Sequence, residues 1–166
     1  MIAIIGKGGF AREVDQMLYK GHCSIMYEFE EIKSIPPGFR CLIAIGNPQA
    51  RKRIVEENPL LEYYSDGLIK CEGAIVTTNV TIGKHVHLNL HVTVGHDCIL
   101  GDYFTAAPGA RISGNVTIGE CVYVGSNAVI IEKLTICDNV TIGAGAVVTK
   151  DITEPGTYVG IPAKKI

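Results

Sequence analysis

The stretch Val92-Thr93-Val94-Gly95-His96-Asp97-Cys98-Ile99-Leu100-Gly101-Asp102-Tyr103-Phe104-Thr105-Ala106 repeats its chemistry every six residues. Val94, Leu100 and Ala106 make one apolar series, and Val92, Cys98 and Phe104, each two residues earlier, make a second. Followed outward, the first series runs unbroken from Val76 to Val148 and the second from Val80 to Ala146. Glycine follows the first series directly at Gly83, Gly95, Gly101, Gly119, Gly125 and Gly143. Neither a helix of period 3.6 nor a simple alternating strand has this pattern. It predicts a parallel β-helix in which each hexad supplies one short strand, one corner and two inward side chains. The glycines are expected to supply corner backbone angles that a Cβ would oppose. One turn cannot bury its own apolar face, so turns must stack. With three hexads per turn, residues eighteen apart become neighbours on adjacent turns.

The rest of the composition fits one globular chain. At 166 residues it has the length of about one domain. A 47% hydrophobic content supports a core and argues against disorder. Fifteen basic against seventeen acidic residues give a net charge of −2, with no electrostatic footprint for nucleic acid. No uncharged apolar run approaches the ~20 residues of a membrane span. Met1 to Gly6 lacks the basic and apolar regions of a signal peptide, so a cytoplasmic protein is expected. The six cysteines lie at least sixteen residues apart, without thiolate-zinc spacing, and are expected to be reduced and partly buried, with no metal.

Residues 1–66 follow another pattern and are expected to form a domain separate from 67–166. Ile2 to Ile5 reads as a strand, followed by Gly6-Lys7-Gly8-Gly9-Phe10-Ala11 and a helix from Phe10 to Tyr19. Ser24 to Phe29 and Cys41 to Ile45 read as further strands, with a turn at Pro36-Pro37-Gly38. Asn47 and Pro48 open a helix reaching Glu57, and Asn58-Pro59 ends it. Gly6-x-Gly8-x-x-Ala11 is a permissive dinucleotide fingerprint, in which glycines let backbone N–H groups approach phosphate. Glu28, about twenty residues on, is placed to accept from a ribose or base. Three strands make only half of a dinucleotide fold, so one nucleotide is expected there.

A half-Rossmann segment of βαβ type leading directly into hexapeptide repeats resembles a known family. It is that of the hexapeptide-repeat sugar-nucleotide N-acetyltransferases and sialic acid O-acetyltransferases (PglD and NeuD type). The matching strings are Ile4 to Glu13, Ala44-Ile45-Gly46-Asn47, Gly95-His96-Asp97-Cys98, Ser113-Gly114-Asn115-Val116 and Val159-Gly160-Ile161-Pro162-Ala163. The resemblance implies a left-handed β-helix, a homotrimer with active sites between subunits, and acetyl-CoA as co-substrate. It implies a nucleotide-linked amino sugar of the UDP-4-amino-sugar type as acceptor, in surface glycan or glycoprotein biosynthesis. It assigns the general base to His96 and its carboxylate partner to Asp97. Gly114 follows both from the resemblance and from the eighteen-residue stacking, which sets it beside His96 with Thr78 on the other side. A glycine there leaves room for the acetyl group, and its N–H can stabilise an oxyanion. Asn89 matches a family asparagine near the acceptor's amino group. Gly6, Lys7, Gly8 and Gly9 carry over as the nucleotide loop, Gly143 and Ala144 as CoA-side backbone, and Lys164 as a phosphate contact.

The chemistry suits these residues. A sugar ammonium must lose a proton before attacking a thioester, and an imidazole titrates near neutral pH. A neighbouring carboxylate holds the ring tautomer and stabilises the imidazolium. Cys98 occupies an inward position, which disfavours an acetyl-cysteine and favours direct attack within a ternary complex. Two features depart from the family pattern: Thr105 stands where a second histidine is common, and the segment between Gly21 and Arg40 is short. O-acetylation of sialic acid is the nearest alternative function. A non-catalytic binding solenoid, a γ-carbonic-anhydrase-like metal site on His91 and His96, and a nicotinamide enzyme are the more distant ones.

Overall fold

A computed structural model describes residues 2–19, 24–36, 39–59, 61 and 68–166. Three parallel strands open the chain: β1 (Ile2–Ile5), β2 (Ser24–Tyr27) and β3 (Arg40–Ile43), in the order β2-β1-β3. Central β1 is covered on both faces, which explains its uninterrupted Ile-Ala-Ile-Ile run. With β2 on one side of β1 and β3 on the other, the strand order reverses between β1 and β3, the switch point beside which open parallel sheets receive ligands.

Helix α1 (Gly9–Val14) is shorter than expected, because the chain widens into a π turn over Asp15–Tyr19. Buried Asp15 at the start of that turn accepts the hydroxyl of Ser24, satisfying a carboxylate that would otherwise be costly to bury. β2 stops at Tyr27 rather than Phe29, because Glu28 caps a 3₁₀ turn. Its carboxylate accepts the Glu31 N–H, and Glu31 accepts the Glu28 N–H at 2.7 Å. β3 ends at Ile43, two residues before the expected Ile45. Helix α2 (Pro48–Glu57) has Asn47 as N-cap, its side chain accepting from Ala50 N at 2.9 Å, and Asn58 at its C-terminus. The expected turn residues Pro37 and Gly38 and the expected boundary at 66/67 lie outside the described residues.

From Ile69 the chain winds as a parallel β-helix. Its strands run from β4 (Ile69–Lys70) to β17 (Val147–Val148), with β8 (Thr93–Val94), β11 (Arg111–Ile112) and β14 (Val129–Ile130) stacked on one face. Pairing is eighteen residues apart throughout these turns, as in Thr93↔Arg111 and Arg111↔Val129. Both apolar series point inward, and Leu88, Phe104, Val116, Ile130 and Ala146 belong to one continuous core. Each fully buried aliphatic chain is worth about 1.5–3 kcal/mol. Backbone ladders join the turns, as from Thr93 N to Ala110 O at 3.1 Å. β18 (Gly156–Val159) and the antiparallel β19 (Lys164–Lys165) close the coil.

The corner glycines act differently from expectation. Gly83, Gly95, Gly101, Gly119, Gly125 and Gly143 have no left-handed backbone. They are needed because successive turns stack closely: a Cβ on Gly95 would stand 2.6 Å from Gly114 N, and one on Gly125 2.5 Å from Ala144 N. Left-handed angles fall instead on other corner residues, such as Asn79 (φ 56°), His85 (53°), Asp97 (58°) and Tyr103 (58°).

One buried cation joins the two parts. Arg51 on α2 is 0% exposed and donates to four carbonyls: Ile45 (2.7 Å), Gly46 (3.2 Å), Tyr103 (2.6 Å) and Phe104 (3.2 Å). Burial pushes its pKa down to about 9, so it remains a cation at neutral pH. Thr105 Oγ1 donates to Gly46 O at 3.0 Å, Gln49 to Cys121 O at 3.2 Å, and Lys52 pairs with Glu120 at 2.8 Å. His85 stacks on Tyr103 beside this joint, with ring centroids 5.2 Å apart.

Candidate active site

His96 and Asp97 stand at the corner after β8, and both side chains face outward, 57% and 45% exposed. The position follows from the repeat: Val94 and Cys98 are the inward residues on either side, so Gly95, His96 and Asp97 between them form the corner. Asp97 takes the left-handed conformation, which turns its carboxylate back toward its neighbour. His96 Nδ1 lies 2.7 Å from Asp97 Oδ2. An ionised carboxylate only accepts, so Nδ1 carries the proton and Nε2 presents its lone pair outward. Asp97 Oδ1 accepts from Asn79 Nδ2 at 3.2 Å. The hydrogen bonds from His96 and Asn79 hold the Asp97 carboxyl below its ordinary value of 3.8, so it is ionised at working pH.

The next turn completes the site. Asn115 N donates to His96 O at 2.8 Å, and Asp97 N donates to Thr78 O at 3.1 Å, so Thr78, His96 and Gly114 form one stacked column. A Cβ on Gly114 would meet His96 Nε2 at 2.7 Å. Cys98 is fully buried beneath, its thiol facing Ser113 O at 3.1 Å, and burial pushes its pKa up. It is placed as a core residue, not as a nucleophile.

The other expected residues lie elsewhere. Gly6 has φ 116° and bonds to Tyr27 O at 2.8 Å, and Gly8 is the N-cap of α1. A Cβ at Gly8 would meet nothing within 4 Å, and one at Gly9 only Arg12 at 4.0 Å, so neither packing nor φ explains these glycines. Lys7 pairs with Glu31 at 3.0 Å, while Arg12 donates to Lys7 O at 2.9 Å. Glu28 is spent on its capping box. Asn89 is buried, with its amide donating to Ala106 O at 3.2 Å, the backbone-bonding role that asparagine often takes at turns. Ala144 and Gly145 form an exposed corner, and a Cβ on Gly143 would meet Val159 Cγ1 at 2.7 Å. Lys164 is exposed on β19, beside Lys165, which pairs with Glu154 at 2.9 Å. Among the described residues, no group of three or more His, Cys, Asp and Glu is placed to hold a metal ion, and no helix is long and apolar enough to cross a membrane.

Reading from sequence missed Arg51, the His85–Tyr103 stack, and the contact from Asn79 to Asp97. Arg51 gives no local signal, because its four acceptors are backbone carbonyls brought together by folding. Asn79 was legible, since it stands eighteen residues before Asp97.

Residues 115–150 match the family model for bacterial transferase hexapeptide repeats (six repeats). A GDP-perosamine N-acetyltransferase of Escherichia coli O157:H7 is 36% identical over 87 residues, covering 42% of this chain and 39% of that relative. The chain thus spans about two-fifths of the curated relative it matches. Among solved structures, the acetyltransferase domain of PglB from Neisseria gonorrhoeae, in complex with acetyl coenzyme A, superposes with a TM-score of 0.86 at 27% identity. That match covers 99% of this chain and 98% of the domain. WeeI from Acinetobacter baumannii gives a TM-score of 0.86 at 25% identity, covering 100% and 99%. In its six-residue repeat, its stacked His96–Gly114 corner and its end-to-end likeness to these proteins, the chain is similar to the hexapeptide-repeat sugar-nucleotide N-acetyltransferases.

Proposed function

We propose that this chain transfers the acetyl group of acetyl-CoA to the amino group of a nucleotide-linked amino sugar, with His96 as general base. The observation that carries it is the exposed His96–Asp97 pair set against Gly114. His96 Nε2 takes a proton from the sugar ammonium, and Asp97 stabilises the imidazolium that forms. The freed amine attacks the thioester carbonyl, forming the C–N bond. The Gly114 N–H is offered to the oxyanion of the tetrahedral intermediate. Collapse breaks the C–S bond: the nitrogen sheds its second proton to solvent as the amide forms, and the departing CoA thiolate takes the proton held by His96. The products are the amide, CoA thiol and one solvent proton, and the base is restored.

The acceptor's nucleotide is assigned to the switch point between β1 and β3, at the loops that follow them. Supporting this, a Cβ at Gly8 or Gly9 would meet open space, so the loop leaves its backbone N–H groups accessible to a phosphate, with Gly8 also serving as the N-cap of α1. Lys7, now paired with Glu31, is near enough to turn to a phosphate. Residues 1–66 are read as the nucleotide domain and 67–166 as the transferase domain, a left-handed coil that assembles as a cytoplasmic homotrimer. CoA is placed along the Gly143–Ala144 corner with Lys164 at its phosphates. The relative described as a GDP-perosamine N-acetyltransferase supports a nucleotide-linked amino sugar as acceptor; we read the product as a building block of a surface glycan or glycoprotein.

The test is thiol release from acetyl-CoA with UDP-, dTDP- and GDP-linked 3- and 4-amino sugars, and with sialic acid and CMP-sialic acid. Turnover on one amino sugar is expected, falling at least ~100-fold in His96→Ala. Turnover on sialic acid alone would replace N- by O-acetylation. Silence without acetyl-CoA binding would end the enzymatic reading.

A further inference from the structure

We propose that Asn79 is a positioning residue for the His96–Asp97 pair: its amide fixes the rotation of the Asp97 carboxylate so that the second oxygen stays on His96 Nδ1. The inference rests on the acetyltransferase reading for its consequence in catalysis, but its geometry stands without it. Asn79, Asp97 and Asn115 occupy one column of left-handed corners, at φ 56°, 58° and 59°. From the turn before, Asn79 Nδ2 reaches Asp97 Oδ1 at 3.2 Å, while Oδ2 faces His96 Nδ1 at 2.7 Å. The carboxylate is thus held at both oxygens, one by an amide and one by the imidazole.

The corner itself does not require asparagine. His85, His91, Tyr103, Cys121 and Lys133 take the same backbone at equivalent corners. What distinguishes Asn79 is its partner, a carboxylate whose other oxygen holds the exposed imidazole. The chemistry of the side chain also fits. An amide donates without carrying charge, so it orients Asp97 and leaves the full negative charge to the imidazolium. A lysine or arginine at this place would compete for that charge. In water the exposed Asp97 side chain would otherwise rotate freely, and His96 would lose its preference for the Nδ1–H tautomer that leaves Nε2 available as base.

The experiment uses two variants that both suit a left-handed corner. Asn79→Gly removes the amide, and Asn79→Asp keeps its shape while replacing the donor with a repelling oxygen. In the ligand-free protein at mildly alkaline pH, ¹⁵N shifts of the His96 ring are expected to report Nδ1–H in the wild type and a mixture of tautomers in both variants. The Asp97 carboxyl, followed by ¹³C, is expected to titrate higher in both, and higher still in Asn79→Asp. With the turned-over amino sugar, kcat is expected to fall about tenfold while KM for both substrates stays within about twofold, because the lost contact touches neither substrate. A merely structural role would lower the melting temperature and leave the tautomer alone. Folded variants with the wild-type tautomer overturn the inference, as does a wild-type kcat. If the wild type turns over no sugar at all, the acetyltransferase reading falls, and the ring shifts alone then decide the role of Asn79.

Discussion

Gly114 lies against the His96 imidazole one turn away, so close that a methyl group on it would stand 2.7 Å from Nε2 and 2.8 Å from Cε1. The smallest residue in the chain therefore clears the face of the proposed base. Gly114→Ala is expected to leave the coil folded and push the ring aside, since the clash is with a side chain that can rotate. Displacing a reacting group by about 1 Å costs on the order of 100-fold in kcat. Steady-state kinetics beside circular dichroism checks this, and unchanged kcat would remove Gly114 from the site.

Asp97→Asn keeps the corner's left-handed preference and removes the charge. We expect kcat to fall by about 100-fold or more, with acetyl-CoA binding retained. The pH dependence has a definite sign. Hydrogen bonds from His96 and Asn79 lower the Asp97 pKa in the native state, so their contribution is present above its ordinary 3.8 and is lost as pH falls through the lower native value. Carbon NMR of the Asp97 carboxyl should therefore show no protonation between about pH 5 and 8, where folded proteins are commonly most stable.

Arg51→Leu removes the fork that ties α2 to the β-helix and leaves four carbonyls without their donor. A loss of about 2–4 kcal/mol is expected, read by urea unfolding. Arg51→Lys should rescue little, because an ammonium cannot span acceptors on two elements as the planar fork does. Proteolysis should begin in the N-terminal strands.

His87 is 2% exposed, packs on Phe10 at 5.3 Å, and donates to the Ile43 carbonyl. Its Nδ1 has no hydrogen-bond partner. Burial first, then the neighbouring Arg51 cation and His85, lower its pKa well below 6.5. The unfolded chain thus takes up a proton near pH 6.5 that the native state refuses, and stability is lost as pH falls below that value, by at most about 1.4 kcal/mol per pH unit. Melting temperatures of wild type and His87→Leu between about pH 7.5 and 5 check this. The variant should show a shallower acid slope.

Gly8→Ala meets open space at φ −70° and should stay folded, losing only on the order of 1 kcal/mol, the cost of a poorer N-cap. Its KM for the sugar nucleotide should rise about tenfold while KM for acetyl-CoA holds, as a Cβ now stands between the backbone and a phosphate. Equal effects on both substrates would remove the loop from the nucleotide site.

Much of the molecule was readable from the order of residues. A six-residue period can be satisfied in only one way, so the two series ending at Val148 and Ala146 determined the coil, its inward residues and the outward placing of His96 and Asp97. The same arithmetic put Gly114 beside His96, because stacking distance in a solenoid is a distance in sequence. Local chemistry likewise determined α2, whose Asn47-Pro48 start and Asn58 end are formed within a few residues. Tertiary structure alone decided the rest. The corner glycines are required by contact between turns rather than by backbone angle, and the left-handed angle falls every six residues at another corner position, on residues such as Tyr103 whose side chains do not favour it. Glu28 was lost to a cap formed with Glu31, and Arg51 became a buried staple through carbonyls fifty residues away in sequence. These outcomes depend on which groups meet when two differently built parts pack together, and a periodic pattern records only how each part meets itself.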